Sequence, residues 1–409
     1  YTLAVSVMGY AEAVREVELT AKETLELQIT LRGTAENLKE VVVNGKSIKR
    51  KIEQTALAVT VLETKEVELQ TIDLGDVLAR TQGINVRRSG GLGSRARISL
   101  NGLTNGQIRF FIDGIPLDVV GFPVGIANVP VNLIDRVEVY RGVVPVRFGA
   151  DALGGAFNLV TPAEFMGTRG SASYQTGSFG THRISADVQH QPDTSGVFIR
   201  SSVFYDFSKN NYDIDVEIPN ELGRLEPVTV ERFHDDYEAF GANVEIGSKN
   251  RSWAKSTSLQ LYANGFNQDI QNDPFMTTPF GAARFGQMNL GGLVKWKSRN
   301  RRRVSADATA GYSFRRTKFT DTTTCVFNWR GDCVSRRIPS NAGETGFSPR
   351  DEVLRDNSVF ARINAKLKVG KQDELRLSSA PTDFSRSGEN RLIQNMPGTV
   401  DALTAETGL

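Results

Sequence analysis

From residue 166 to about 380 the sequence alternates apolar and polar residues with a period of two. In GVFIRSSVFYDF, Val197, Ile199, Val203, Tyr205 and Phe207 alternate with Arg200, Ser202 and Asp206. In VSADATAGYSF, Val304, Ala306, Ala308, Ala310, Tyr312 and Phe314 alternate with Ser305, Asp307, Thr309 and Ser313. SVFARINAKLKV, ISADVQHQ and SLQLYANGF behave the same way. Successive side chains of an extended strand point to opposite faces, so each segment has one apolar and one polar face. About nine strands of this kind have two physical homes: a sandwich with one face in water, or a membrane barrel with lipid outside and water inside.

The connections favour the barrel. QPDTSG, SKNRS, SRNRR and GKQD are tight, charged turns. Between them lie Ser208–Asp235, Gln268–Gly286 and Arg316–Arg355, each of roughly 20 to 40 residues, a length uncommon in compact domains. Short turns alternating with long loops are the pattern of an outer-membrane barrel. Aromatic residues near strand ends (Tyr205, Phe207, Tyr262, Phe266, Trp296, Tyr312, Phe314) suit an interfacial girdle, or are ordinary strand residues. No run approaches the ~20 apolar residues of a spanning helix. About nine strands do not close a large barrel, and open edges are not viable in lipid, so the sequence reads as an incomplete piece of a longer protein. After Pro381 the alternation fades, and residues 381–409 are left unassigned.

Other features narrow the function. With 49 Lys+Arg against 47 Asp+Glu the net charge is +2, which supplies no field for nucleic acid. The three histidines, His182, His190 and His234, are scattered, and no nucleophile–base grouping is legible, so no enzyme, cofactor or metal is expected. Cys325 and Cys333 have no nearby histidine and fit a small loop disulfide in an oxidising compartment better than free thiols or a metal site.

Upstream of the barrel pattern the chain changes character twice. Residues 1–37 hold three short alternating strands (YTLAVSVMGY, AVREVELT, TLELQITL) and read as the last part of a small β-sandwich. LKEVVVNGKS, residues 38–47, is a short β-prone run between polar linkers. Residues 48–165 read as an α+β domain with one mixed sheet and two short helices, the second placing Leu74, Val77 and Leu78 on one face. This domain ends in VEVYRGVVPVRFGADALGGAFNLVT, Val137 to Thr161. Gly142, Gly149, Gly154 and Gly155 are expected to let the backbone turn with positive φ or pack closely.

The order of these parts resembles a TonB-dependent outer-membrane receptor of the Bacteroidetes type with an N-terminal carboxypeptidase-regulatory-like domain. The likeness is sharpest from Asp73 to Pro162, in DLGDVLARTQGINV, ARISLNGL, FFIDGIPL, IDRVEVYRG and FGADALGGAFNLVT. It implies an all-β transmembrane barrel of 22 strands, of which about nine are present, stopped by an α+β plug. It also implies an outer-membrane protein with its N-terminal domain periplasmic and its long loops extracellular. The partners it implies are outer-membrane lipid, the inner-membrane TonB complex, a small-molecule or metal-chelate cargo, and a further outer-membrane protein.

Carried over residue by residue, the TonB box falls on Leu38, Lys39, Glu40, Val41, Val42 and Val43; the alternative is a last sandwich strand. Arg141 matches one of two plug arginines that pair with barrel glutamates in the family; the alternative is a solvated turn residue. The other arginine is replaced, because Asn101-Gly102 stands where the family has Arg-Gly. Tyr140-Arg141-Gly142 stands where glycan importers have Lys-Asp-Ala, which tilts the expected cargo towards iron-siderophore, haem or cobalamin. Phe122, Phe275, Phe280 and Trp329 are the candidate ligand-stacking residues, or simply loop packing. The apices facing the cargo are expected at SGGLGS and VVGFPVGIAN.

Overall fold

A computed structural model describes residues 2–6, 12–18, 24–31, 58–65, 73–117, 131–148, 154–162 and 166–392, with gaps at 193–195, 221, 300–302, 347 and 371–372, together with positions 49, 52, 67, 126 and 129. The chain divides into two compact units, 1–48 and 49–409.

In the first unit, β1 (Thr2–Val5) pairs antiparallel with β2 (Ala13–Glu16). Residues 24–31, expected as a third strand, form no ladder among the described residues. Alternation makes a segment able to pair, but a strand also needs a neighbour offering N–H and C=O groups. Residues 38–47 lie outside the described residues.

The second unit opens with the α+β domain: β3 (Val59–Glu63), α1 (Leu74–Ala79), β4 (Ile84–Arg88), β5 (Ala96–Leu100), β6 (Leu103–Thr104), β7 (Ile108–Ile112), β8 (Ile115–Pro116), β9 (Arg136–Arg141) and β10 (Gly155–Val160). The expected single sheet is two. One has five strands in the order β3-β9-β10-β7-β8, with β10 parallel to β7; the other is β4-β5-β6. Asp73 starts α1 through a capping box, its side chain accepting from the Asp76 amide (3.0 Å) while the Asp76 side chain accepts from the Asp73 amide (3.3 Å). The helix then buries Leu74, Val77 and Leu78 against Leu100, Val137, Val139, Phe157 and Leu159. Where the first helix was expected, Leu62 and Glu63 end β3 and the Val67 amide closes a turn on the Thr64 carbonyl (2.9 Å), while 66 and 68–72 lie outside the described residues.

The wall follows: β11 (Gly167–Gly177), β12 (Thr181–Gln191), β13 (Val197–Ser208), the hairpin β14 (Asp213–Pro219) and β15 (Leu225–Glu231), then β16 (Tyr237–Lys249), β17 (Ser256–Asp269), β18 (Arg284–Lys297) and β19 (Val304–Asp321). A small hairpin, β20 (Cys325–Phe327) and β21 (Cys333–Arg336), precedes β22 (Arg350–Lys368), β23 (Glu374–Ser379) and β24 (Thr382–Asn390). Ten of these strands form one antiparallel sheet, and β23 and β24 both pair with β22. The wall therefore continues beyond residue 380: the chain breaks its ladder at Pro381, whose carbonyl accepts from the Ala361 amide (2.9 Å), and resumes.

Which face is covered decides between the two homes of such strands. The apolar face is bare: Ile184, Val188, Leu261, Val294 and Ile363 are all about half exposed. The polar face is buried: Asp206 is 1% exposed, Asn289 0% and Asn264 4%. A soluble sandwich covers its apolar face; here the bare one suits lipid. The register also corrects the girdle. Tyr205 and Tyr312 are exposed on the outer face, but Tyr262 and Phe266 are buried on the inner one, because period two sets them opposite Leu259 and Leu261. At 18 and 19 residues, β19 and β22 exceed the ~9–11 residues that span a bilayer, and their far ends carry the long loops.

Candidate functional site

The site is the junction of the α+β domain, the inner face of the wall and the long loops. Its base is the glycine-rich segment 137–161. Gly155 has φ +126, and a Cβ there would lie 2.2 Å from the Tyr140 carbonyl oxygen and 2.8 Å from Leu100 Cδ2. A Cβ on Gly154 would lie 2.5 Å from Leu103 Cδ1. Gly142 has φ +79 but open space around it, so it serves the turn and not the packing. Gly149 lies outside the described residues.

Arg141 bonds inside the α+β domain, to Thr60 Oγ1 and, at 2.9 Å, to the Gln82 carbonyl. Among the described residues of this segment the buried charge is instead Glu138, 3% exposed. Its carboxylate accepts from Arg136 Nε (3.1 Å) and Nη2 (3.0 Å), Tyr140 Oη (2.8 Å) and Asn158 Nδ2 (3.0 Å). Burial and this carboxylate push the Tyr140 hydroxyl far above its ordinary value. Sequence reasoning passed over Glu138, although one signal was present: an acidic residue interrupting a run whose neighbours Val137 and Val139 are fully buried.

The SGGLGS apex is pinned to the wall. Asn210, 3% exposed, accepts from the Leu92 amide (3.0 Å) and donates to the Leu92 carbonyl (2.9 Å), while its amide also donates to the Asp235 carbonyl (3.0 Å). Leu92 packs with Phe204, Tyr237 and Phe266 of the inner wall. The second apex, 119–128, falls with Phe122 almost wholly outside the described residues.

Above the wall the loops interlock. Glu344 accepts from three successive amides, Gly281 (2.7 Å), Ala282 (2.8 Å) and Ala283 (3.0 Å). Burial, outweighing these bonds, raises its carboxyl above the ordinary value. Gln271 Oε1 accepts from Phe233 N (2.8 Å) and His234 N (2.6 Å). Burial pushes the Asp235 carboxyl up to about 6, against the pull of Arg232, whose Nε lies 3.0 Å away. Cys325 and Cys333 form a disulfide that ties β20 to β21.

Of the candidate stacking residues, Phe280 and Trp329 are each 6% exposed, and Trp329 packs on Val216 and Val230 of the β14–β15 hairpin. Phe275 is 85% exposed at the tip of a turn whose amides at 275, 277 and 278 all donate to Asp273.

Residues 51–156 match the sequence model of the TonB-dependent Receptor Plug Domain family. A 122-residue segment is 33% identical to a "Vitamin B12 transporter BtuB" of Vibrio vulnificus, covering 30% of this chain and 20% of that protein. The fold is similar to that of the siderophore receptor PiuA of Acinetobacter baumannii, with a TM-score of 0.53 and 14% identity over 82% of this chain and 46% of the other. It is likewise similar to the ferric enterobactin receptor PfeA of Pseudomonas aeruginosa, with a TM-score of 0.54 and 18% identity over 81% and 50%. The chain thus spans about half the length of these structures.

Proposed function

We propose that this chain, which has the plug and the opening barrel strands of the TonB-dependent outer-membrane receptors, serves energy-coupled import of a scarce nutrient, with an iron-siderophore, haem or cobalamin-like cargo. The observation that carries this reading is a folded domain lodged against the polar inner face of a wall whose outer face is apolar. Such a domain obstructs a lumen and must move before a solute larger than water passes. The names of the relatives, a vitamin B12 transporter and siderophore receptors, support the cargo class.

In this reading the inner-membrane TonB complex takes hold of Leu38, Lys39, Glu40, Val41, Val42 and Val43. An extended β-branched run is suited to adding a strand to a partner's sheet edge. Phe275, on its rigid turn, is the aromatic residue we assign to first contact with cargo. Arg141, bonded within the plug to Thr60 and the Gln82 carbonyl, is proposed as the plug charge that locks onto a wall glutamate.

The test is a deletion strain grown with iron-siderophore, haem, cobalamin or glycan as the limiting source. A growth defect on one of the first three, restored by the intact gene, is expected. A defect on glycans alone overturns the cargo class, and no defect on any source overturns import. Deleting residues 38–43 should abolish uptake while cargo still binds; normal uptake would remove the TonB box from that position.

A further inference from the structure

We propose that the Asp113–Gly114 turn is a latch holding the plug to the barrel wall, and that its release from Lys295 and Arg362 is a step in opening the passage. The turn joins β7 to β8, with φ +51 at Asp113 and +74 at Gly114, the left-handed pair of a two-residue hairpin. The next residue, Ile115, is 1% exposed and packs among Tyr262, Leu293 and Phe360, inner-face residues of β17, β18 and β22.

The polar half of the latch lies beside this apolar contact. Arg362, 8% exposed on the inner face of β22, donates through Nη1 to the Gly114 carbonyl. Lys295 Nζ of β18 lies 3.7 Å from the Asp113 carboxylate and 3.7 Å from Glu245 of β16. Glu245 in turn accepts from Ser258 Oγ (2.6 Å) and Arg200 Nη1 (3.3 Å), so the lysine is held by the wall whether or not the turn is docked. On the plug side, the Asp113 carboxylate accepts from the Thr161 amide (3.0 Å) and hydroxyl (2.8 Å). The Gly114 amide donates to Asn158 Oδ1 (2.8 Å), and Asn158 donates to Glu138. One turn is therefore tied to the wall, to the central strand of the plug and to the residue where the plug hands over to the first barrel strand.

Two charge-assisted contacts and one aliphatic side chain make a small set to break, far smaller than the plug core. A cavity of about 520 Å³ already lies beside the turn, lined in part by Asp113, Gly114, Glu138, Lys295 and Arg362. Undocking the turn widens that space along β16 to β22. The polarity is wall cation on plug carboxylate and carbonyl, the reverse of a plug arginine on wall glutamates. The gating role rests on the import reading above; the latch itself does not.

The test uses the complete receptor in planar lipid bilayers, with the rate at which ionic conductance appears in a fixed sub-denaturing urea concentration as the readout. Lys295→Met and Arg362→Gln should each raise that rate roughly tenfold, since each removes the cationic partner of a charged contact between wall and plug. Asp113→Asn keeps a residue that tolerates the left-handed turn and should match Lys295→Met, and the pair combined should add little to either alone. Unfolding of the barrel, read from its heat-dependent gel mobility, should not move. Unchanged release rates in Lys295→Met and Arg362→Gln, or an equal shift in barrel unfolding, overturn the latch. Ile115→Cys with Leu293→Cys, joined by a short cleavable thiol bridge, should stop conductance and uptake until reduced; full-rate uptake in the bridged receptor overturns the gating step. If the unmodified receptor imports none of the cargoes, the import reading fails while the conductance results still judge the latch.

Discussion

At the scale of single residues, the glycines of 137–161 divide by what surrounds them. Gly155→Ala would place a methyl group 2.2 Å from a backbone oxygen at φ +126. Backbone does not yield as a side chain does, so a loss of about 3 kcal/mol or failure of the plug to fold is expected. Gly142→Ala meets nothing within 4 Å and should cost only the left-handed conformation, about 1–2 kcal/mol; protease resistance of the plug on heating distinguishes the two. Asp235 supplies a pH dependence. Its carboxyl titrates at about 6 in the fold against an ordinary 3.8, so between these values the folded loop keeps a proton that the unfolded one has lost. The stabilisation is fully present below pH 3.8 and is lost as pH rises through about 6. Amide exchange at 232–236, corrected for intrinsic rates, should show protection falling from pH 4 to 7, and Asp235→Asn should flatten the curve. Gly142, Gly154 and Gly155 were legible as turn and packing positions because a missing side chain is itself a signal. Glu138 was not, because its burial depends on Arg136, Tyr140 and Asn158 meeting it across β9 and β10.

At the scale of elements, the turns were the most readable features. Asn101-Gly102 and Asp113-Gly114 both adopt the paired positive-φ turn that their residue types favour. The outer loops were least readable, since their order comes from contacts across long separations. Glu344 reaches 61 to 63 residues back to cap three amides of the preceding long loop. Glu344→Gln should weaken these bonds by roughly 1–3 kcal/mol in total, seen as faster exchange at 281–283 with no change in the wall. Reducing the Cys325–Cys333 bridge should loosen β20 and β21 and leave β19 and β22 intact, because those two strands pair along their whole length independently of it. The misplaced girdle residues, Tyr262 and Phe266, carry a further lesson: aromatic identity suggested lipid, but the two-residue period assigned them to the lumen, and the period was the stronger constraint.

At the scale of the molecule, the alternation of the strands allowed a sandwich or a membrane barrel, the alternation of connection lengths favoured the barrel, and the resemblance of the plug motifs to a known family pointed to what fills it. The first two are local: they follow from the geometry of an extended chain and from connection length, and require no knowledge of distant partners. The period of two settled which residues share a face. It did not say which face is outside, because a solvated sandwich and a lipid-facing barrel share one period. The tertiary structure decided that, by leaving Val294 and Ile363 bare and burying Asp206 and Asn289. It also decided that Arg141 is braced within the plug, that Phe280 and Trp329 are packed away, and that Asp113 meets Lys295 while the Gly114 carbonyl meets Arg362. These pairings join residues 182 and 248 positions apart, and a chain's local preferences carry no information over such distances; only the packing of the plug against the inner face of the wall brings them together.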